Sequence, residues 1–158
     1  MRALDAADGD ARPLFLCYEP KDNRSLCGML VSVAGSRSLA GVHQHPQLAF
    51  WHQLDPEHDD EQAYNRYAHV ELEPCPACLT FVAPGDEYWQ GEGLPPNMFV
   101  LEAAPDHERL LALGARYAIA VGGLQDDPVF RRFSAIHRAS DGSFTVFAIA
   151  PTAPSEVR

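Results

Sequence analysis

The sequence contains no long apolar run. No segment reaches the about 18 consecutive apolar residues that a transmembrane helix needs, so we expect no membrane association through a spanning helix. Residues 1–10 are acidic and contain no apolar core of the kind that a signal peptide requires. We therefore expect a cytoplasmic protein.

Basic residues are scarce as well. The chain carries 12 Lys and Arg against 22 Asp and Glu, which gives a formal net charge of −10. Nonspecific nucleic-acid binding depends on Lys and Arg to displace counterions, so this balance argues against a nucleic-acid partner. It is compatible with a small-molecule ligand or with a basic protein partner. The sequence also contains neither the Gly-rich phosphate loop of nucleotidases nor the Gly-x-Ser-x-Gly motif of hydrolases.

The apolar runs and turn residues predict a single globular domain over 13–150, between a flexible arm (1–12) and a flexible tail (151–158). Strands and helices alternate along the domain, which predicts an α/β or α+β fold with a central mixed sheet flanked by helices. The predicted elements are strands at 13–18 and 27–34 that form a hairpin, a helix at 46–54, strands at 67–72 and 98–103, a helix at 106–113, a strand at 117–121, a short helix at 127–133, and a terminal hairpin of 134–138 and 143–149. The acidic run 55–61 is interpreted as a solvated loop.

The chain has four cysteines, and two of them form a Cys-x-x-Cys motif at Cys75 and Cys78. A turn of this length lets both sulfurs bind one metal ion, and in a cytosolic protein it is more often metal-binding or redox-active than structural. Cys17 and Cys27 lie in apolar stretches and are predicted to be core residues. The sequence therefore predicts one metal site, with Cys75 and Cys78 as its first two ligands.

Two sulfurs are an incomplete ligand set, so the remaining ligands must come from histidines or from the other cysteines. His45 opens the predicted helix 46–54 and is the strongest third candidate, with His43, His52, His58 and His69 nearby in sequence. Three protein ligands would leave a fourth position for water. Such an open position is typical of catalytic zinc, which lowers the pKa of the bound water.

The segment Leu-Glu-Pro-Cys-Pro-Ala-Cys at 72–78 resembles the Cys-pair motif of the zinc-dependent cytidine/adenosine deaminase superfamily, in particular tRNA adenosine deaminases and the riboflavin-type deaminases. The resemblance covers about residues 14–135. It implies a deaminase-like sheet, a Cys pair at the start of a helix, a zinc ion held by His45, Cys75 and Cys78, and hydrolytic deamination of a nucleobase or nucleoside.

The chain departs from that family where the proton-shuttling glutamate should stand. The family has His-x-Glu, whereas Gln47 follows His45 by two positions, and an amide cannot shuttle a proton. Either the protein is an inactive or engineered form, or another acid such as Glu71 acts in its place, or the alignment is wrong.

A non-enzymatic function is the main alternative. Cys75 and Cys78 could complete a structural zinc site with two further Cys or His ligands, and the acidic surface could then bind and neutralise a basic protein, as an immunity-type protein or inhibitor does. A redox function of the Cys pair is also open.

Overall fold

The computed structural model describes residues 12–20, 26–43, 47–65, 69–83 and 98–149. The predicted arm (1–12) and tail (151–158) lie almost entirely outside these ranges. The Gly- and Pro-rich segment 84–96 also lies outside them. Within the described ranges, no helix is both long enough and apolar enough to span a bilayer.

The described residues form one nine-stranded mixed sheet. Its strands are β1 (Leu14–Tyr18), β2 (Arg37–Ser38), β3 (Gly41–Val42), β4 (His69–Pro74), β5 (Leu79–Val82), β6 (Met98–Ala103), β7 (Ala115–Val121), β8 (Ser134–Arg138) and β9 (Phe144–Ala148).

The strand order along the sheet is β5-β6-β4-β1-β7-β9-β8, with β2 paired to β1 and β3 paired to β4. The four central strands β6, β4, β1 and β7 are parallel, and antiparallel strands complete both sides. The chain leaves β1 toward β4 on one side and later returns to β7 on the other. The carboxyl ends of β1 and β7 therefore form a topological switch point, where open α/β sheets commonly bind ligands.

Short helices cover both faces of the sheet. One face carries Cys17 of β1 and its register partner Ile119 of β7, and Ile119 lies beside α1. Tyr18, the next residue of β1, points to the opposite face, where its ring contacts Phe130 with centroids 5.3 Å apart. The helices are α1 (Leu26–Val33), α2 (Leu48–Leu54), α3 (Glu61–Tyr64) and α4 (Glu108–Ala112), with two 3₁₀ turns at Leu124–Asp126 and Pro128–Arg132.

The main core lies on the face of the sheet that carries Tyr18. Trp51 of α2 is almost fully buried and packs edge-on against Phe99 of β6 and Phe81 of β5. Aromatic rings of this size contribute much of the apolar area that a domain buries. The opposite face is covered by α1 alone among the described helices.

The fold-class prediction is confirmed, because the described residues form a mixed sheet with helices, which is an α/β or α+β fold. The predicted strands that correspond to β1, β4, β6 and β7 are present, and so is the terminal hairpin of β8 and β9. The predicted helices at 46–54, 106–113 and 127–133 appear as α2, α4 and the second 3₁₀ turn.

The predicted strand at 27–34, and its hairpin with 13–18, are wrong. This segment forms helix α1, and β1 instead pairs with β7, β4 and β2. A short continuous apolar run has no periodicity that separates a buried strand from a helix, which explains the error. Strand β5 and the two-residue strands β2 and β3 were not predicted.

Gly28 sets how closely α1 approaches the sheet. A Cβ added at this position would lie only 2.1 Å from the backbone oxygen of Ala40. Alanine normally stabilises a helix relative to glycine, but here the clash involves backbone that cannot move without shifting α1.

We therefore predict that Gly28→Ala lowers the free energy of unfolding by on the order of 1–3 kcal/mol. Val33→Ala, at an exposed position of the same helix, is the control and should change it by about 0.5 kcal/mol or less. Denaturant unfolding followed by circular dichroism measures both. An unfolding midpoint for Gly28→Ala at or above that of the natural protein would contradict the close approach.

Candidate functional site

Cys75 and Cys78 lie in the turn that leads from β4 to β5 across the carboxyl end of β6. Their sulfurs form a disulfide, and the Cα atoms are 5.8 Å apart. The turn is held on both sides, because the N–H of Cys75 donates to the oxygen of Ala103 (3.4 Å) and the N–H of Ala104 donates to the oxygen of Cys78 (2.8 Å). The motif thus connects two strands directly, whereas the deaminase resemblance implies that it begins a helix.

A basic side chain lies next to this turn, but no further metal ligand does among the described residues. The guanidinium of Arg132 donates to the oxygen of Pro76 (3.0 Å) and pairs with Asp106. No third His, Cys, Asp or Glu of the described ranges converges on the two sulfurs. His45 lies outside the described residues. Zinc binding by His45, Cys75 and Cys78 therefore stays a prediction.

Gln47 lies at the opposite end of the sheet from the cysteine pair. It precedes the first turn of α2 and lines a small cavity with Leu14, at the amino end of β1. Tyr18, at the other end of β1, is in register with Leu72, three residues before Cys75. At the usual rise per strand residue, Gln47 and Cys75 are on the order of 20 Å apart. The structure does not bring these two residues into one site.

Glu71 is also separate from the cysteine pair. It lies in the middle of β4, about 13 Å along the strand from Cys75 at the usual rise per residue. Its carboxylate is 3.9 Å from Nε2 of His69, and its side chain is mostly buried. Together with Cys17 and Glu19 it lines a small cleft on the α1 face of the sheet.

Cys17 and Cys27 are buried free thiols, as predicted for core residues. The two thiols are close neighbours, and the hydrogen bond with Cys17 together with burial raises the pKa of the Cys27 thiol. Cys17 is also an acceptor for the hydroxyl of Ser38 at 3.8 Å. These two thiols lie under α1, away from the turn that holds the other two cysteines.

A larger cavity lies between α1 and the sheet, and no sequence pattern predicted it. This groove, which we call the α1 groove, has a volume of about 480 Å³. It extends toward the carboxyl ends of β1 and β7, and so it reaches the topological switch point of the sheet. Its apolar walls are formed by Leu26, Leu30, Val31, Ile119, Val121 and Phe144.

The α1 groove has one acidic side chain, Glu19, which follows β1 directly. Its Oε1 accepts a hydrogen bond from the N–H of Cys27 (2.9 Å), so Glu19 also caps the start of α1. Burial raises the pKa of this carboxyl, although the hydrogen bonds from the N–H groups of α1 act in the opposite direction. Among the described lining residues there is no Lys or Arg.

The outer surface of α1 is apolar too. Leu30 is 60% exposed and Val33 is 85% exposed, and the helix carries no charged residue. A helix that is apolar on all sides is normally covered by other atoms, and large exposed apolar patches are common at binding sites. The apolar run at 27–34 is the sequence signal for this surface, and its interpretation as a strand conceals the surface.

These features define an α/β domain with an apolar groove at the switch point of its sheet. The chain belongs to the family described as Domain of unknown function (DUF7654), whose model matches residues 20–151. No curated protein and no solved structure matches the chain. The comparisons therefore add no support to the resemblance to deaminases, which rests on sequence motifs, chiefly the Cys-x-x-Cys segment.

The raised pKa of Glu19 leads to a prediction about stability and pH. A carboxyl whose pKa is higher in the folded than in the unfolded state contributes stability that is present below the unfolded pKa and is lost as the pH rises through the folded pKa. Glu19→Gln keeps the shape of the side chain but cannot ionise. We predict that it matches the natural protein in thermal stability at about pH 4 and exceeds it at about pH 7.

Thermal unfolding at both pH values measures this difference. Glu57→Gln, at an exposed position of the loop after α2, controls for the general effect of removing one negative charge. If Glu19→Gln differs from the natural protein by the same amount at both pH values, the pKa of Glu19 is not raised in the folded protein.

Proposed function

We propose that this domain binds an amphiphilic small molecule, with an aliphatic chain in the α1 groove and an amine head group next to Glu19. The observation that supports this most is the groove itself, an apolar cavity of about 480 Å³ at the switch point of the parallel central strands. Small-molecule sites have volumes of roughly 300–1,000 Å³ and are lined mainly by apolar side chains with a few polar groups.

The walls of the groove account for the aliphatic part of the ligand. Leu30 and Val31 of α1 form one wall, and Ile119, Val121 and Phe144 of the sheet form the other. Each methylene group that moves from water into such a cavity contributes about 0.8 kcal/mol. Binding strength should therefore follow chain length until the groove is filled.

The charge around the groove accounts for the head group. Glu19 is the one charged side chain among the described lining residues, and the whole chain has a net charge of −10. An amine gains a charge-assisted interaction with this carboxylate, whereas a sulfate, phosphate or carboxylate meets a like charge. Because Glu19 is only half-buried, we expect the preference for an amine to be modest.

We predict that primary alkylamines displace a neutral fluorescent probe, N-phenyl-1-naphthylamine, from the natural protein. Between hexylamine and decylamine each added methylene should lower Kd about threefold to fourfold. Decyl sulfate, used below its micelle concentration, should bind about twofold to fivefold more weakly than decylamine, and Glu19→Gln should reduce that difference.

Two variants of α1 provide the matched control. Leu30→Asp introduces a charge into the wall of the groove, whereas Val33→Asp introduces the same charge one helical turn further along, where the side chain does not line the groove. We expect Leu30→Asp to weaken decylamine binding at least tenfold and Val33→Asp to leave it nearly unchanged. Equal losses in both variants, or Kd values that do not depend on chain length, would refute binding in the α1 groove.

Zinc-dependent deamination of a nucleobase or nucleoside, and an immunity-type function with a structural zinc, stay predictions from the sequence. The deaminase prediction draws on the Cys-x-x-Cys turn, but Gln47 and Glu71 are both far from that turn. The immunity-type prediction rests on the net negative charge of the chain. The same charge also favours an amine ligand in the α1 groove.

A further inference from the structure

Two histidines and a glutamate converge where α2 is followed by α3. Nδ1 of His58 lies 3.2 Å from Oε2 of Glu61, and Nε2 of His52 lies 4.0 Å from Oε1 of the same carboxylate. The three potential ligand atoms all lie within 4.8 Å of one another. From this geometry we propose that His52, His58 and Glu61 bind a divalent transition-metal ion, with zinc as the preferred ion.

The distances are close to those that such an ion requires, so small side-chain movements would complete the site. Zinc binds imidazole nitrogen and carboxylate oxygen at about 2.0–2.2 Å, so neighbouring ligand atoms in a tetrahedral site lie about 3.3–3.5 Å apart. The separations of 3.2 and 4.0 Å, which run from the two imidazoles to the two different oxygens of the Glu61 carboxylate, are each within about an ångström of this value. Two imidazoles with one carboxylate form a ligand set that zinc uses in proteins, with a fourth position left for water.

The ring of His52 has a nitrogen that lacks a hydrogen-bond partner among the described residues. Its Nε2 atom is buried and makes no hydrogen bond within the described ranges. At 4.0 Å the carboxylate of Glu61 is too distant to accept a hydrogen bond from it. A buried polar atom without a partner is unfavourable, and an ion placed between this nitrogen and the carboxylate would remove that cost.

The loop between the two helices holds the ligands in place. His58 is the one non-glycine residue of the described ranges with a positive φ, at 62°, a conformation that surrounding contacts must maintain. The buried carboxylate of Asp55 provides them, because it accepts hydrogen bonds from the N–H groups of Asp59 (3.2 Å) and Asp60 (2.9 Å) and from the hydroxyl of Tyr64 (3.0 Å). The backbone that carries the ligands is therefore largely preorganised before an ion arrives.

This site is independent of the α1 groove, because α2 and α3 lie on the opposite face of the sheet. Trp51, the neighbour of His52 in α2, packs on the face that carries Phe99, and Tyr64 of α3 contacts Phe81 on the same face. The ion would join the end of α2 to the start of α3 and so restrain the loop 55–60. Binding of zinc and binding of an amphiphile can thus succeed or fail separately.

Isothermal titration of zinc chloride into the oxidised full-length chain tests the site. In the oxidised chain the disulfide removes the thiolates of Cys75 and Cys78, so these residues cannot contribute. We expect one zinc ion per chain, and at least tenfold weaker binding in His52→Ala and in Glu61→Gln. His137→Ala, which alters an exposed histidine of β8, is the control and should bind zinc as the natural protein does.

Cobalt substitution identifies the ligand type. A site of two histidines and a glutamate gives visible d–d bands without the near-ultraviolet charge-transfer bands that thiolates produce. Thiolate bands, the absence of zinc binding, or equal affinity in the natural protein and Glu61→Gln would each overturn the proposal. Glu61 is partly exposed, so Glu61→Gln keeps the test valid even if His52→Ala does not fold.

Discussion

The parallel pairing of β1 with β7 determines most of what this domain can do. It joins the first strand of the sheet to a strand near the other end of the sequence, with Cys17 opposite Ile119 and Tyr18 opposite Ala120. Because β4 occupies the other side of β1, the chain reverses its direction of winding at this pair. The α1 groove, with Glu19 at one end and Val121 in its wall, exists because these two carboxyl ends lie side by side.

Much of the sheet could be predicted from the sequence. Strands β4, β6 and β7 are apolar or alternating segments bounded by Gly, Pro and Asp, and the turn around Asp141 and Gly142 indicates the terminal hairpin. Gly114, with φ of 95°, follows α4 in the left-handed conformation in which glycine commonly ends a helix. Helix α1 could not be predicted, because its eight mostly apolar residues carry no clear periodicity, and its orientation is fixed by the contact of Gly28 with Ala40.

The candidate sites were much harder to predict than the fold. Cys75 and Cys78 are visible as a motif, but their neighbours depend on the pairing of β4 and β5 with β6, which spacing along the chain does not reveal. The acidic run at 55–61 was interpreted as a solvated loop, yet Asp55 is 7% exposed and organises the loop around His58. A charged residue that is buried and satisfied by backbone N–H groups has no signature in sequence composition.

The central claim is that the α1 groove takes an aliphatic chain, and a methyl-resolved NMR titration of the full chain with decylamine tests it most directly. The account predicts saturable shifts of the methyl groups of Leu30, Val31, Ile119 and Val121, with those of Leu48 and Leu54 in α2 unchanged. Shifts confined to the α2 face, or shifts spread over the exposed surface without saturation, would contradict it.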